Sequence, residues 1–220
     1  MRTHFRMLLS VMSHIIYPAA CPLCGKLAVN VCDDCLANCV KPLSPRCICC
    51  GEAYPCKSHQ HGIPVFSGNI HASSAREMIL RLKYSGFPGL GKPMGHALAK
   101  KLQIFPDADF LVPIPLHRDS QRKFNQALLI SRGIQAEWGV PVKDVLKWNL
   151  DNVKQTRKEF SDRKKLAKHA FSLETAQLRG KRVIIIDDVM TTGTTLTRAM
   201  DILRGGGAVP VAAVTWTATI

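Results

Sequence analysis

The sequence is short of acid, short of aromatics and, beyond one early segment, wholly without cysteine. Sixteen Asp and Glu face thirty Lys and Arg, a net charge of +14 with a pI near 9.6. That imbalance points to an anionic partner (nucleic acid, a phosphorylated small molecule or a membrane surface) without choosing among them. Aromatic residues make up 6% of the chain and are scattered, which argues against a platform for stacking bases. No run approaches the roughly 20 apolar residues that span a bilayer. The apolar stretch near the N-terminus, "MLLSVMSHII" after "MRTHFR", has the outline of an export signal before Cys21, but His14 and two serines dilute it and Pro18 interrupts it. It reads as a short amphipathic helix packed on the protein, which leaves the chain in the cytoplasm with no stable membrane insertion.

All nine cysteines fall between positions 21 and 56. A disulfide scaffold would spread them through the fold, whereas this clustering is what metal binding requires. Cys21, Cys24, Cys32 and Cys35 follow a Cys-x2-Cys-x7-Cys-x2-Cys spacing, in which each short turn presents two thiolates to one tetrahedral zinc. Cys47, Cys50, Cys56 and His59 form a second set, in which Cys49 or His61 could replace a member, and Cys39 is left over. Four ligands leave no open position for chemistry. One or two structural Zn²⁺ ions stapling a small module are therefore expected over residues 1–62, together with the N-terminal helix.

From residue 63 to 220 the pattern changes to Val/Ile-rich strands alternating with helices, the signature of a parallel α/β sheet. "REMILRLKYSG", "KPMGHALAKKLQIF", "NQALLISRGIQAEWG" and "TTLTRAMDILRGGG" predict helices. "DFLVPIPLH", "PVKDVLKW", "KRVIIID" and "VPVAAVTW" predict strands. Residues 149–170 are polar and aperiodic.

The most informative stretch is "RVIIIDDVMTTGTT". Four β-branched residues, Val183 to Ile186, predict a strand buried on both faces. Asp187 and Asp188 would then stand at its carboxyl edge, where open α/β sheets bind ligands. Adjacent acids suit the two neighbouring hydroxyls of a ribose. The bend Thr191, Thr192, Gly193, Thr194 and Thr195 opens a helix, so its amides and hydroxyls form a cradle for phosphate. Two other readings compete. An acid pair of a nucleotide hydrolase would need a phosphate loop elsewhere, and "GFPGLGKP" at residues 86–93 offers only a decoy, with Pro93 where a magnesium-binding hydroxyl belongs. An ordinary solvated strand end explains neither the two acids nor the four threonines.

At these residues the chain resembles the type I phosphoribosyltransferases, whose binding motif is an apolar strand, two acids and a Thr/Ser-Gly-Thr loop. With the paired cysteine knuckles, "LKYSG", "VPIPLH", "RKFNQA" and the stretch ending in "AF", the resemblance narrows to the ComF/GntX family, bacterial proteins associated with natural competence and DNA uptake. It covers nearly the whole chain. The resemblance implies a phosphoribosyltransferase-like parallel sheet that binds phosphoribosyl diphosphate with Mg²⁺. Asp187 and Asp188 would hold the ribose hydroxyls, and residues 191–195 the 5-phosphate. Leu116, His117 and Arg118 would approach the diphosphate, although a turn histidine caps or stacks as readily. Residues 154–169, with seven basic and two acidic side chains (Arg157 and Lys158 among the basic), would form a flap over the leaving group. Two functions follow: transfer of phosphoribose to a nitrogenous acceptor with release of diphosphate, or a non-catalytic protein that holds the donor and single-stranded DNA. Proteins of the uptake machinery are further partners. Two positions depart from the family pattern: Lys123 replaces a glycine, and Leu166 an asparagine.

Overall fold

A computed structural model of the chain describes residues 20–28, 31–84, 87–102, 107–117, 120, 122–148, 171–174 and 176–219. The N-terminal helix and the 154–169 flap expected above lie outside these residues, as do Arg118, Arg157, Lys158 and Leu166. No described helix is long and apolar enough to cross a membrane.

The elements run α1 (Asp33–Cys39), β1 (Arg46–Cys47), β2 (Pro64–Ser67), α2 (Ser73–Tyr84), α3 (Gly91–Leu102), β3 (Phe110–Pro113), α4 (Gln126–Trp138), β4 (Leu146–Trp148), β5 (Phe171–Leu173), β6 (Arg182–Met190), α5 (Thr194–Gly205) and β7 (Val209–Ala218). The main sheet is ordered β1-β2-β7-β6-β3. Its four larger strands are parallel, and β1 joins antiparallel at the edge beyond β2.

Strand alternation divides the core into two layers. Ile184 and Ile186 of β6, with Val214 and Trp216 of β7, pack under α2, α3 and α4. Val183 and Ile185, with Ala213, pack against Leu196, Ala199, Met200 and Leu203 of α5. Those four α5 residues recur at helical spacing, which is why this helix buries one face. The cysteine-rich segment belongs to the same body. Leu36 of α1 enters the first layer and Ile48 the second, both nearly or fully buried.

All four predicted helices are present, and Pro93 occupies the first turn of α3. "GFPGLGKP" follows helix α2, and Lys92 lies inside α3, so the decoy has no strand before it. Two strands differ from expectation. "PVKDVLKW" divides: Val142 makes one bridge to Leu111, while Leu146–Trp148 leaves the main sheet and pairs with β5. β6 does not stop at Asp187 but continues to Met190, because β7 goes on supplying partners up to Ala218.

Helices α3 and α4 touch through glycines. A Cβ on Gly95 would run into the Ile130 carbonyl, and one on Gly133 into the Lys92 carbonyl. Gly95→Ala should lower unfolding stability by about 1–3 kcal/mol, or more where the helices cannot separate, read from the denaturant midpoint.

Candidate functional site at the carboxyl end of the central strands

β3 ends beside β6 at Pro113, opposite Ile186, with a last bond from the Ile114 N–H to the Ile186 carbonyl at 2.8 Å. β6 runs on past β3, so Asp187 pairs with Thr215 of β7 on one side, and β3 supplies no partner to either acid on the other. The acids were expected at the strand's carboxyl edge; β6 runs to Met190, so they lie within its last residues. Alternation along a strand turns successive side chains to opposite faces, and the two acids accordingly have different partners.

Asp188 is 9% exposed, and Lys83 of α2 clamps it, with Nζ 3.0 Å from Oδ1 and 2.9 Å from Oδ2. Asp187 is half-buried and turns back on the chain, its Oδ1 accepting the Asp188 N–H at 2.7 Å. Burial first, then the neighbouring Asp188 carboxylate, push the Asp187 carboxyl up to about 8, against the opposing pull of that N–H, Lys83 and Arg122. His71 stands at the same edge. Its N–H donates to the Ala218 carbonyl, and Nδ1 is 2.8 Å from Thr217 Oγ1. Burial and the cations Arg76 and Lys83 hold its imidazole below the usual range. Lys83, His71 and Arg122 were not singled out from the sequence. "LKYSG" and "RKFNQA" were noted there as motifs, but no local rule says which acid a lysine 105 residues away will meet.

"RKFNQA" has a structural reason. Asn125 caps α4, accepting the Leu128 N–H at 3.3 Å, and its amide donates to the Ile114 carbonyl at 3.0 Å. One side chain thus ties the start of α4 to the end of β3. Arg122 Nη1 donates to Gln126 Oε1 at 2.8 Å, which aligns the guanidinium. Among the described non-glycine residues only Ser73 has a positive φ, so Lys123 carries no strain where the family has glycine. Beyond β3, Trp148 donates its indole N–H to the Pro115 carbonyl at 3.0 Å, and His117 stacks edge-on against the same indole at 4.7 Å. Leu116 and His117 therefore lie in a turn braced by β4.

The Thr191–Thr195 bend leaves β6 and opens α5. Gly193 is the helix N-cap at φ 73°, a left-handed conformation that favours glycine, and no side chain caps the helix there. Thr192 Oγ1 is 2.8 Å from Thr194 Oγ1. The first-turn amides and the helix dipole thus face outward from a hydroxyl-lined bend.

Both expected metal sets come together. The thiols of Cys21, Cys24, Cys32 and Cys35, and those of Cys47, Cys50 and Cys56 with a His59 ring nitrogen, form two groups whose ligand atoms all lie within 4.8 Å of one another. Cys24 and Cys32 Sγ are 3.5 Å apart, and Cys50 and Cys56 Sγ 3.6 Å. A zinc tetrahedron with Zn–S near 2.3 Å has an edge of about 3.8 Å, so these separations fit. Each leading knuckle closes on a left-handed glycine: the Gly25 N–H donates to the Cys21 carbonyl and the Gly51 N–H to the Cys47 carbonyl. The His59 ring lowers Cys56 to about 6, and at Cys21 the N–H groups of Cys32, Leu23 and Cys24 overcome burial to reach a similar value. Thiolates are the form zinc takes. All nine cysteines are free of disulfides.

Residues 130–218 match the family model described as "Phosphoribosyl transferase domain". "Competence protein ComFC" of Bacillus subtilis is 36% identical over 97 residues, 43% of this chain and 38% of that protein. "Competence protein F" of Haemophilus influenzae is 31% identical over 111 residues, 48% of each chain. The chain thus spans less than half the length of these two relatives. "DNA utilization protein YhgH" of Escherichia coli K12 is 27% identical over 201 residues, 87% of this chain and 80% of that protein. The chain is similar to these competence and DNA-utilization proteins and matches a phosphoribosyl transferase domain over residues 130–218. Its sheet is of the type I phosphoribosyltransferase kind, preceded by a cysteine module with two metal-capable clusters. Among solved structures, a glutamine phosphoribosylpyrophosphate amidotransferase from B. subtilis superposes with a TM-score of 0.45 at 23% identity, over 61% of this chain and 30% of that one.

The two acids differ in how their charge is handled, and each difference can be measured. Asp187 keeps in the folded state a proton that the unfolded chain, with an ordinary value near 3.8, releases. Its contribution to stability is complete below pH 3.8 and is lost as pH rises toward 8. Asp187→Asn should flatten the pH dependence of unfolding between about pH 4 and 8. In a double-mutant cycle, Lys83→Met and Asp188→Asn should couple by about 0.5–3 kcal/mol, because either change alone strands a largely buried charge.

Proposed function

We propose that the protein binds phosphoribosyl diphosphate at the carboxyl end of β6 and transfers its phosphoribosyl group to a nitrogenous acceptor, releasing diphosphate. The observation that carries this reading is the order of features along one strand: two acids, one clamped by Lys83 and one bonded to the backbone, then a hydroxyl-lined bend at a helix start. Asp187 and Asp188 take the two ribose hydroxyls. Asp187, protonated to about pH 8, can donate to a hydroxyl as well as accept from one. Residues Thr191 to Thr195 take the 5-phosphate, whose charge suits the positive end of α5.

The braced turn at Leu116 and His117 faces the diphosphate, together with Arg118, and Arg157 and Lys158 of the 154–169 segment supply further positive charge. The acceptor nitrogen attacks the anomeric carbon, the bond from that carbon to the diphosphate oxygen breaks, and the diphosphate leaves with the electron pair. Positive groups around the departing oxygens stabilise that charge as it grows. Asp187 and Asp188 offer hard oxygens that suit Mg²⁺, but Lys83 already neutralises Asp188. The ion therefore fits as part of the donor's diphosphate, where it would offset phosphate charge, rather than as a resident ion.

The names of the relatives and the net charge of +14 favour a second reading alongside the first: a role in competence, with single-stranded DNA and uptake proteins as partners, in which the donor site serves for binding alone. Cysteines gathered in metal-ligand sets suit a reducing compartment such as the cytoplasm.

Phosphoribosyl diphosphate with Mg²⁺ at a hundredfold excess over its Kd should raise the melting temperature by roughly 5–10 °C. Asp188→Asn should remove the shift, and an undiminished shift in that variant would discard the ribose assignment. Diphosphate release against a panel of purines, pyrimidines and amides decides catalysis, and silence across the panel leaves the binding reading. DNA affinity should fall steeply with salt, and Lys164→Ala/Lys165→Ala should flatten that slope by about two.

A further inference from the structure

The second cysteine cluster is built against the Thr191–Thr195 bend. Ile48 lies inside the Cys47–Cys50 knuckle and is fully buried, its N–H donating to the Ile63 carbonyl at 3.1 Å. Its own carbonyl points at the start of α5. Thr197 Oγ1 donates to it at 2.9 Å, while the Thr197 N–H closes the first helical turn on the Gly193 carbonyl at 2.9 Å. A Cβ on Gly193 would stand 2.7 Å from the same Ile48 oxygen. Two residues of the bend and its helix thus take their position from one carbonyl of the knuckle. A second tie lies three turns along the helix, where Arg204 Nη2 donates to the His61 carbonyl at 2.7 Å. Between the two ties, Cys49 with Thr192, Thr194, Thr197 and Arg198 borders a cavity of about 510 Å³.

The knuckle's own shape depends on its ligands. The Gly51 N–H donates to the Cys47 carbonyl at 2.8 Å, Arg46 Nη1 to the Gly51 carbonyl at 2.7 Å, and a Cβ on Gly62 would press on Cys47 Sγ. Removing a structural metal takes its binding free energy away from the folding of the loops around it, so convergence of the four ligands adds to what holds the knuckle, and with it the Ile48 carbonyl, in place. The first cluster offers an internal comparison, because its helix α1 packs into the opposite layer of the sheet.

We infer that the Cys47–Cys50–Cys56–His59 cluster sets the shape of the Thr191–Thr195 bend through the Ile48 carbonyl, so that metal held in this cluster and a phosphorylated ribose held in the bend reinforce each other. The inference rests on the reading of that bend as the ribose phosphate site. Thr197 is the positioning residue of the link, and the coupling is reciprocal by thermodynamic necessity.

The test uses the full zinc-loaded chain and follows zinc transfer to the chromogenic chelator 4-(2-pyridylazo)resorcinol, with ribose 5-phosphate as the probe. Cys50→Ser identifies which released equivalent belongs to the second cluster. Saturating ribose 5-phosphate should slow that equivalent by about two- to tenfold, the worth of one hydrogen bond, and leave the other unchanged. Without any ligand, Thr197→Val should speed release of the same equivalent by a similar factor and weaken ribose 5-phosphate binding in calorimetry. Thr197→Ser should restore both. Unchanged release in Thr197→Val, or ribose 5-phosphate that binds without slowing release, overturns the coupling and leaves the site reading intact. Absence of any ribose 5-phosphate binding to the wild-type protein removes the site reading and the coupling together.

Discussion

Two carboxylates on consecutive residues of a buried strand repel each other and lose their water. The edge of this sheet is arranged around that difficulty. Asp188 is made tolerable by an ammonium that reaches both of its oxygens, and Asp187 by a backbone N–H and by keeping its proton well above the usual range. The N–H is the next residue's own, but the charges around the pair come from far along the chain. Lys83 arrives on α2, which docks through Ala75, Met78, Ile79 and Leu82, and Arg122 is aimed by the cap that starts α4. The hydrophobic layers thus do more than stabilise the sheet: they deliver the charges without which the acids could not stay there.

Structural needs alone are met more cheaply by apolar residues, as Val183 to Ile186 just before the pair illustrate. On the proposed reading, the ammonium bears on ligand choice as well as on stability. With Lys83 on Asp188 and a proton on Asp187, the pair carries little net negative charge near neutrality and does not repel an anionic sugar phosphate. A bare acid pair would select for a metal cation. This one is suited to neutral hydroxyls, and the helix start beyond it is suited to the phosphate.

How much of this could be read beforehand depended on the range of the interaction. The helices and most strands of the sheet were legible because periodicity is local: β-branched runs mark buried strands, and Leu196, Ala199, Met200 and Leu203 mark one face of α5. The two metal sets were legible because knuckle spacing is local too. The end of β6 was misjudged because aspartate is a poor strand residue, while the pairing that carries the strand to Met190 is donated by β7. "PVKDVLKW" was misjudged for the converse reason: its apolar pattern fits a strand, but only the two-stranded pairing with Phe171–Leu173 decides which sheet receives it. Lys83 and the Ile48 carbonyl were invisible because their partners lie 105 and 149 residues away.

Gly193 shows how those long-range contacts select a residue that local chemistry only permits. Its φ of 73° already favours glycine, and a threonine-rich bend could tolerate Asn or Asp in that conformation. The Ile48 oxygen removes that tolerance, because any Cβ would sit against a backbone carbonyl that cannot swing aside. The same oxygen is anchored by a knuckle whose ligands span residues 47 to 59, so the glycine of the bend and the cysteines of the module answer to one geometric constraint. A cysteine-rich segment that merely capped the sheet would impose no such demand on a loop 145 residues further along the chain.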